Sequence, residues 1–237
     1  SVWTGVNSRS PRRVEIDGGR SLVRRYLELG ADQSHVRRLF AQEARVFSQN
    51  GEDGVILHLL ESIGVGSRSV LEIGSGGWSS NIAYLVVHFG FVGHFVDADP
   101  AALAQQQRQV ADAEPRKPIS AAYHLHLVRP DDVESSVVEW TGNAELDVLS
   151  LDIDSNDYWV LENLGSVRPR LLVVEYNASF GPDAVVSIPY DPSFDRWKTH
   201  ESGWYYGASL GAFAKLCAAR GYSLMGCDST GVNAFFA

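Results

Sequence analysis

The stretch Ser69-Val70-Leu71-Glu72-Ile73-Gly74-Ser75-Gly76-Gly77-Trp78-Ser79-Ser80-Asn81 decides how the rest of the chain is read. It opens on a short apolar run of the kind that forms a buried parallel strand. The run breaks at Gly74, Gly76 and Gly77 and resumes as the helical pattern Asn81-Ile82-Ala83-Tyr84-Leu85-Val86-Val87. Strand, glycine turn and helix in that order are the local geometry of a nucleotide-cofactor site. Residues without a Cβ let the backbone turn sharply and let a ligand approach it.

Two acids narrow the choice of cofactor. Glu72 sits inside the strand end, and Asp97 lies 21 residues beyond Gly76, closing the next apolar run Gly93-His94-Phe95-Val96-Asp97. An acid at that point accepts hydrogen bonds from ribose hydroxyls. A dinucleotide fold prefers a third glycine where Ser79 stands and holds a pyrophosphate at the helix N-terminus. Glu-x-Gly-x-Gly without that glycine suits S-adenosylmethionine, which has no phosphate and carries an amino group for an acidic loop to hold. The bland alternative is a tight βα turn that binds nothing.

From residue 69 onward, apolar runs alternate with helical patterns. Strands are expected at 69–73, 92–97, 121–127, 146–152 and 170–176, with helices near 79–88, 100–112, 130–140 and 157–164. Such alternation implies a parallel sheet with helices on both faces and its strand-end loops along one edge. Those loops (Gly74–Trp78, Asp97–Asp99, Leu127–Asp131, Asp152–Asp157 and Glu175–Ser179) should converge on one cleft. Residues 178–204 are rich in Pro and aromatics and read as a binding lid. A helix over 205–219 follows, then strands Gly221–Met225 and Val232–Phe236. The expected fold is therefore α/β: a Rossmann-like, seven-stranded, mostly parallel sheet with helices on both faces and a C-terminal antiparallel β-hairpin.

Composition excludes several classes. The chain has 237 residues, 45% hydrophobic and 21% charged, which is ordinary for a globular domain able to bury a core. No apolar run reaches the length of a membrane span. The net charge of −9 argues against nucleic acid as a partner. Cys217 and Cys227 form neither a disulfide framework nor a metal cluster, and no signal-peptide pattern opens the chain, so a cytoplasmic location is expected. Residues 1–45 carry nine Arg against five acids, a balance of +4 that leaves −13 for the remainder. Residues 1–46 are accordingly expected to be an Arg-rich, mainly helical extension, with the cofactor domain over 47–237.

These residues resemble the class I S-adenosylmethionine-dependent methyltransferases, and more closely the FkbM-type. The resemblance rests on Ser48-Gln49-Asn50-Gly51-Glu52-Asp53-Gly54, Leu71-Glu72-Ile73-Gly74-Ser75-Gly76, Leu149-Ser150-Leu151-Asp152-Ile153-Asp154-Ser155-Asn156-Asp157-Tyr158-Trp159 and Val174-Glu175-Tyr176-Asn177. It covers about residues 47–237 and implies methyl transfer to a hydroxyl of a small natural product or sugar. It also implies cofactor contacts from Gln49 and Asn50 at the carboxylate end, Glu72 at the amino group, and Asp97 with Ala98 at the ribose. Gly74, Ser75, Gly76 and Asp152 would complete that site. The family pattern commonly has Asp where this chain has Gly77, which removes one carboxylate near the methionine end.

Asp152 and Asp154 lie two apart at a strand end, so both point to one face, and Glu175 and Asn177 repeat the relation on the next strand. Four oxygen-bearing side chains make a set suited to Mg²⁺. Metal-dependent O-methyltransferases use a similar arrangement to lower the pKa of the acceptor oxygen. The alternative is that Asp154, Ser155 and Asn156 cap the helix beginning at Asp157, with Asp152 binding the acceptor's hydroxyl or taking its proton. Asp154 and His200 are the candidate general bases. Competing functions are N-methylation, a nicotinamide-dependent oxidoreductase and a non-catalytic cofactor-fold subunit. A homodimer is the expected assembly, and the expected partner is a small-molecule methyl acceptor.

Overall fold

The computed structural model describes residues 39–142 and 145–237. All but residues 39–46 of the expected N-terminal extension therefore lie outside the described residues. The strands are β1 (Ser69–Ile73), β2 (Val92–Asp97), β3 (Ala121–Leu125), β4 (Val148–Leu151), β5 (Leu171–Glu175), β6 (Leu224–Cys227) and β7 (Asn233–Phe236). They form one sheet in the order β3-β2-β1-β4-β5-β7-β6, parallel from β3 to β5 and antiparallel at β7 and β6. The helices are α1 (Glu52–Ile63), α2 (Ala83–Phe89), α3 (Pro100–Ala113), α4 (Val133–Thr141), α5 (Asp157–Asn163), α6 (Arg196–Thr199) and α7 (Leu210–Ala219).

Side chains alternate across the pleat and feed two cores. Val70, Phe95, Val148, Val173 and Phe235 pack with α1, α2 and α3 on one face. Their neighbours Leu71, Val96, Leu149, Val174 and Phe236 pack with α4, α5 and α7 on the other. Near-continuous apolar strands follow from burial on both faces. The order also reverses direction between β1 and β4, which is where open α/β sheets place a ligand crevice.

The departures from the sequence reading have local causes. Helix α2 begins at Ala83 rather than near 79, because Ser80 turns inward: its Oγ accepts from the N–H of Ile82 and Ala83 and donates to Glu72. Helix α7 begins at Leu210, where Ser209 Oγ accepts from Ala212 N, and the preceding Ala208 bridges Ser187 of the lid. In the β6–β7 turn, Asp228 accepts from the backbone N–H of Thr230, Gly231, Val232 and Asn233. Among the described residues no helix is long and apolar enough to cross a membrane.

Candidate active site

At the C-terminal ends of β1, β2 and β4 lies a cavity of about 400 Å³, within the usual range for small-molecule sites, roughly 300–1,000 Å³. Its walls include Gln49, Glu72, Gly74, Ser75, Gly76, Asp97, Ala98, Asp152 and Asp154, with Tyr190, Pro192 and Phe194 contributed by the lid.

The glycine turn is shaped by close approach. Gly74 has φ 86°, and a Cβ there would lie 1.6 Å from the carbonyl oxygen of Asp152, so no other residue fits without moving β4. Gly77 has φ 78°, and its Cβ would meet Ala102 O at 2.8 Å. An aspartate at that point would be strained. Gly76 N donates to Asp97 Oδ2 at 2.8 Å and Asp99 N donates to Oδ1 at 2.8 Å, so the backbone aims the Asp97 carboxylate. The hydroxyl of Ser75 is buried on the cavity wall without a hydrogen-bond partner among the described residues.

Glu72 is buried beneath this turn. Ser80 Oγ donates to its Oε2 at 2.5 Å and Asn81 N to its Oε1 at 2.7 Å. Burial pushes its pKa up to about 8, against the pull of those two hydrogen bonds. Gln49 reaches the cavity wall, but Asn50 turns to Glu52, donating from N at 2.7 Å and from Nδ2 at 3.2 Å. Glu52 also accepts from Asn233 Nδ2 at 2.8 Å, and Asn233 lines the cavity with its Oδ1 unpaired among the described residues. Asn50 thus supports the wall from behind, while Asn233 lines the cavity itself. Asp53 organises the preceding loop by accepting from the N–H of Val46, Phe47 and Ser48, which closes the polar motif 48–54 over the start of α1.

The opposite wall is acidic. Carboxylate oxygens of Asp152, Asp154 and Glu175 lie within 4.8 Å of one another. Asp152 keeps some accessible surface, yet its carboxyl sits deep among neighbouring atoms. Desolvation comes first for both groups; repulsion from Asp154 and Asp157 then adds to it at Asp152, and repulsion from Asp152, Asp154 and Asp157 at Glu175, so both stand well above the carboxylate range. Asp157 accepts from Ile153 N at 2.8 Å and Ser155 N at 3.0 Å, which clamps the backbone on either side of Asp154. Burial pushes Asp157 up to about 6. Between those clamps Asp154 adopts φ 56°, a rare conformation for a non-glycine residue.

The sequence reading did not anticipate Arg196. Its side chain is 8% exposed. The guanidinium pairs with Asp154 through Nη1, which also lies 3.8 Å from Glu175 Oε1. Nε donates to Gly203 O at 2.8 Å, and the group stacks 3.5 Å above the ring of Tyr206. Burial works against its charge, but Tyr206, Asp154 and Glu175 outweigh this and raise its pKa.

Two expected residues are not brought to this wall. Asn177 follows the end of β5 and is fully occupied elsewhere: Oδ1 accepts from Ser179 N and Oγ, and Nδ2 donates to Trp204 O and Tyr206 O. The two-residue period of the strand placed it beside Glu175, but it anchors the base of the lid instead. His200 is exposed, with Nδ1 2.7 Å from Ser202 Oγ in its own turn, and does not line the cavity. Asn156 stands at the N-cap of α5 but makes no cap bond; its amide pairs with the backbone of Asp191 in the lid. Of the lid aromatics Tyr190 lines the cavity, whereas Trp197 is 67% exposed.

No family profile and no curated protein matches the chain. Solved structures do. A magnesium protoporphyrin IX methyltransferase from Synechocystis with bound S-adenosylhomocysteine aligns at 12% identity, over 94% of this chain and 96% of that one, with a TM-score of 0.50. An O-methyltransferase of tomaymycin synthesis from Streptomyces achromogenes, in complex with S-adenosylmethionine, aligns at 15% identity over 90% and 92%, with a TM-score of 0.49. The first likeness establishes the fold: a Rossmann-like methyltransferase fold with a seven-stranded mixed sheet.

Proposed function

We propose that the protein transfers the methyl group of S-adenosylmethionine to a hydroxyl of a small molecule, as the FkbM-type resemblance implies. The observation that carries this reading is the turn that follows β1. Gly74 is closed to any side chain by Asp152 O, Ser75 Oγ is buried without a partner among the described residues, and the Asp97 carboxylate is aimed by two backbone N–H groups beside the cavity. Asp97 would accept from the ribose hydroxyls. Glu72, Gln49 and Asn233 would face the amino-acid end. The glycine turn of a dinucleotide site, by contrast, would prefer a third glycine where Ser79 stands. The Synechocystis structure of the same fold holds S-adenosylhomocysteine, the product of such a transfer.

S-adenosylmethionine carries its methyl on a cationic sulfur and needs no activation from the protein. The residues' task is orientation, which supplies most of the acceleration in such reactions. The acidic wall suits a cationic donor, and Asp154 reaches the cavity as the carboxylate able to take an acceptor's proton. Tyr190 and Phe194 offer apolar ring surface for the acceptor. A divalent cation at Asp152, Asp154 and Glu175 is the second reading. Three oxygens within 4.8 Å support it, and the guanidinium on Asp154 weighs against it.

Thermal unfolding with S-adenosylmethionine, S-adenosylhomocysteine, NAD⁺ or NADP⁺ tests the proposal. A ligand at a hundred times its dissociation constant stabilises the native state by about 2.7 kcal/mol. The proposal expects a shift with the first two alone. A shift with a nicotinamide cofactor alone would reject it.

A further inference from the structure

The acid cluster already has a cation beside it. Arg196 is brought there by the lid, 42 residues after Asp154, and is held from several sides. One edge of the guanidinium lies on Asp154, Nε is tied to Gly203 O, and the planar face rests on Tyr206 at 3.5 Å, with the Trp197 ring at 5.1 Å. A guanidinium cannot lose its proton in a protein and has a fixed fork of donors, so this is a permanent, oriented positive charge. Mg²⁺ demands near-octahedral oxygens at about 2.1 Å. At Asp154 it would have to displace the guanidinium or sit within a few ångströms of it, in surroundings where like charges repel strongly.

We infer that Arg196 is the resident cation of the cluster formed by Asp152, Asp154 and Glu175, holding Asp154 in its left-handed conformation and excluding divalent metal ions. The arginine is a positioning residue: it acts on the cleft through Asp154 and fastens the lid to the strand ends with the same contact. The inference stands whether or not the cleft takes S-adenosylmethionine. Once the arginine is removed, the cluster of Asp152, Asp154 and Glu175 becomes a metal site.

The test titrates the full chain with Mn²⁺, followed by the electron paramagnetic resonance of the unbound ion. Wild type should show no stoichiometric site, and Arg196→Gln should bind one Mn²⁺ roughly tenfold or more tightly than wild type. Adding Asp154→Asn to Arg196→Gln should remove that site. Arg196→Lys, which keeps the charge, should behave as wild type. A second measurement needs no substitution to fold: the wild-type Arg196 Nε–H resonance should stay unbroadened when Mn²⁺ is added. A wild-type Mn²⁺ site that Asp154→Asn abolishes, broadening of that resonance, or a folded Arg196→Gln without gain in Mn²⁺ affinity would each overturn the inference.

Discussion

On the glycine wall of the cleft, Asp97 is aimed by the N–H groups of Gly76 and Asp99, and Glu72 by Asn81 N and the Ser80 hydroxyl, all within 21 residues of chain. On the lid wall, Asp154 is aimed by Arg196, 42 residues on, and Asn156 is held by Asp191, 35 residues on. Backbone donors are fixed by the strand and its turn, and only a change that moves the chain can disturb them. The lid wall rests instead on the side chains of Arg196 and Asn156, the latter pinned to the backbone of Asp191, and these can be exchanged one at a time. The first construction suits a ligand part that never varies. The second suits an acceptor, whose identity the lid can determine without disturbing the cofactor.

Breaking the backbone-built wall should cost the most. Gly74→Ala adds a Cβ against Asp152 O at a positive φ. Overpacking and backbone strain together should lower stability by about 3 kcal/mol or more, measured by urea unfolding. Asp97→Ala leaves that backbone in place and removes the carboxylate. Loss of charge-assisted hydrogen bonds to the cofactor should weaken S-adenosylmethionine binding by about 2 kcal/mol, some thirtyfold, with unchanged circular dichroism.

A pH series sharpens the contrast. Burial raises Glu72 to about 8, against roughly 4.3 in an unfolded chain. Between those values the native state holds the extra proton, so this contribution is complete at low pH and is lost as pH rises toward 8. Glu72→Gln should flatten the fall in unfolding free energy between about pH 5 and 8 by up to about 1.4 kcal/mol per pH unit. An unchanged slope would mean that Glu72 ionises normally. Smallest of all should be Asn156→Ala, which frees one pin of the lid. It should cost about 1 kcal/mol and leave S-adenosylmethionine affinity unchanged, read by the same unfolding and binding measurements.

The contrast also explains what could be read in the chain. Strand–helix alternation and the apolar runs made the sheet and its terminal hairpin legible, because burial on both faces leaves a near-continuous apolar run in the central strands. Gly76, Glu72 and Asp97 were legible because their hydrogen-bond partners lie within 21 residues of them. Arg196 left no such record: one arginine within an aromatic, proline-rich lid has no period and no motif, and only the folded chain brings it to Asp154. Asn177 was assigned to the cluster by extending the strand period past the end of β5, where the backbone had already turned into the lid's anchor. Asn233 lies at the start of β7 and reaches the cavity only because that strand inserts between β5 and β6.

The central claim is that the turn after β1 and Asp97 form an S-adenosylmethionine site. Calorimetric titration of wild type and Asp97→Ala with S-adenosylmethionine and S-adenosylhomocysteine tests it most directly. The account predicts one site per chain for both ligands in wild type, weakened some tens of fold by Asp97→Ala. Absence of binding to wild type, or equal affinity in the two proteins, would contradict it.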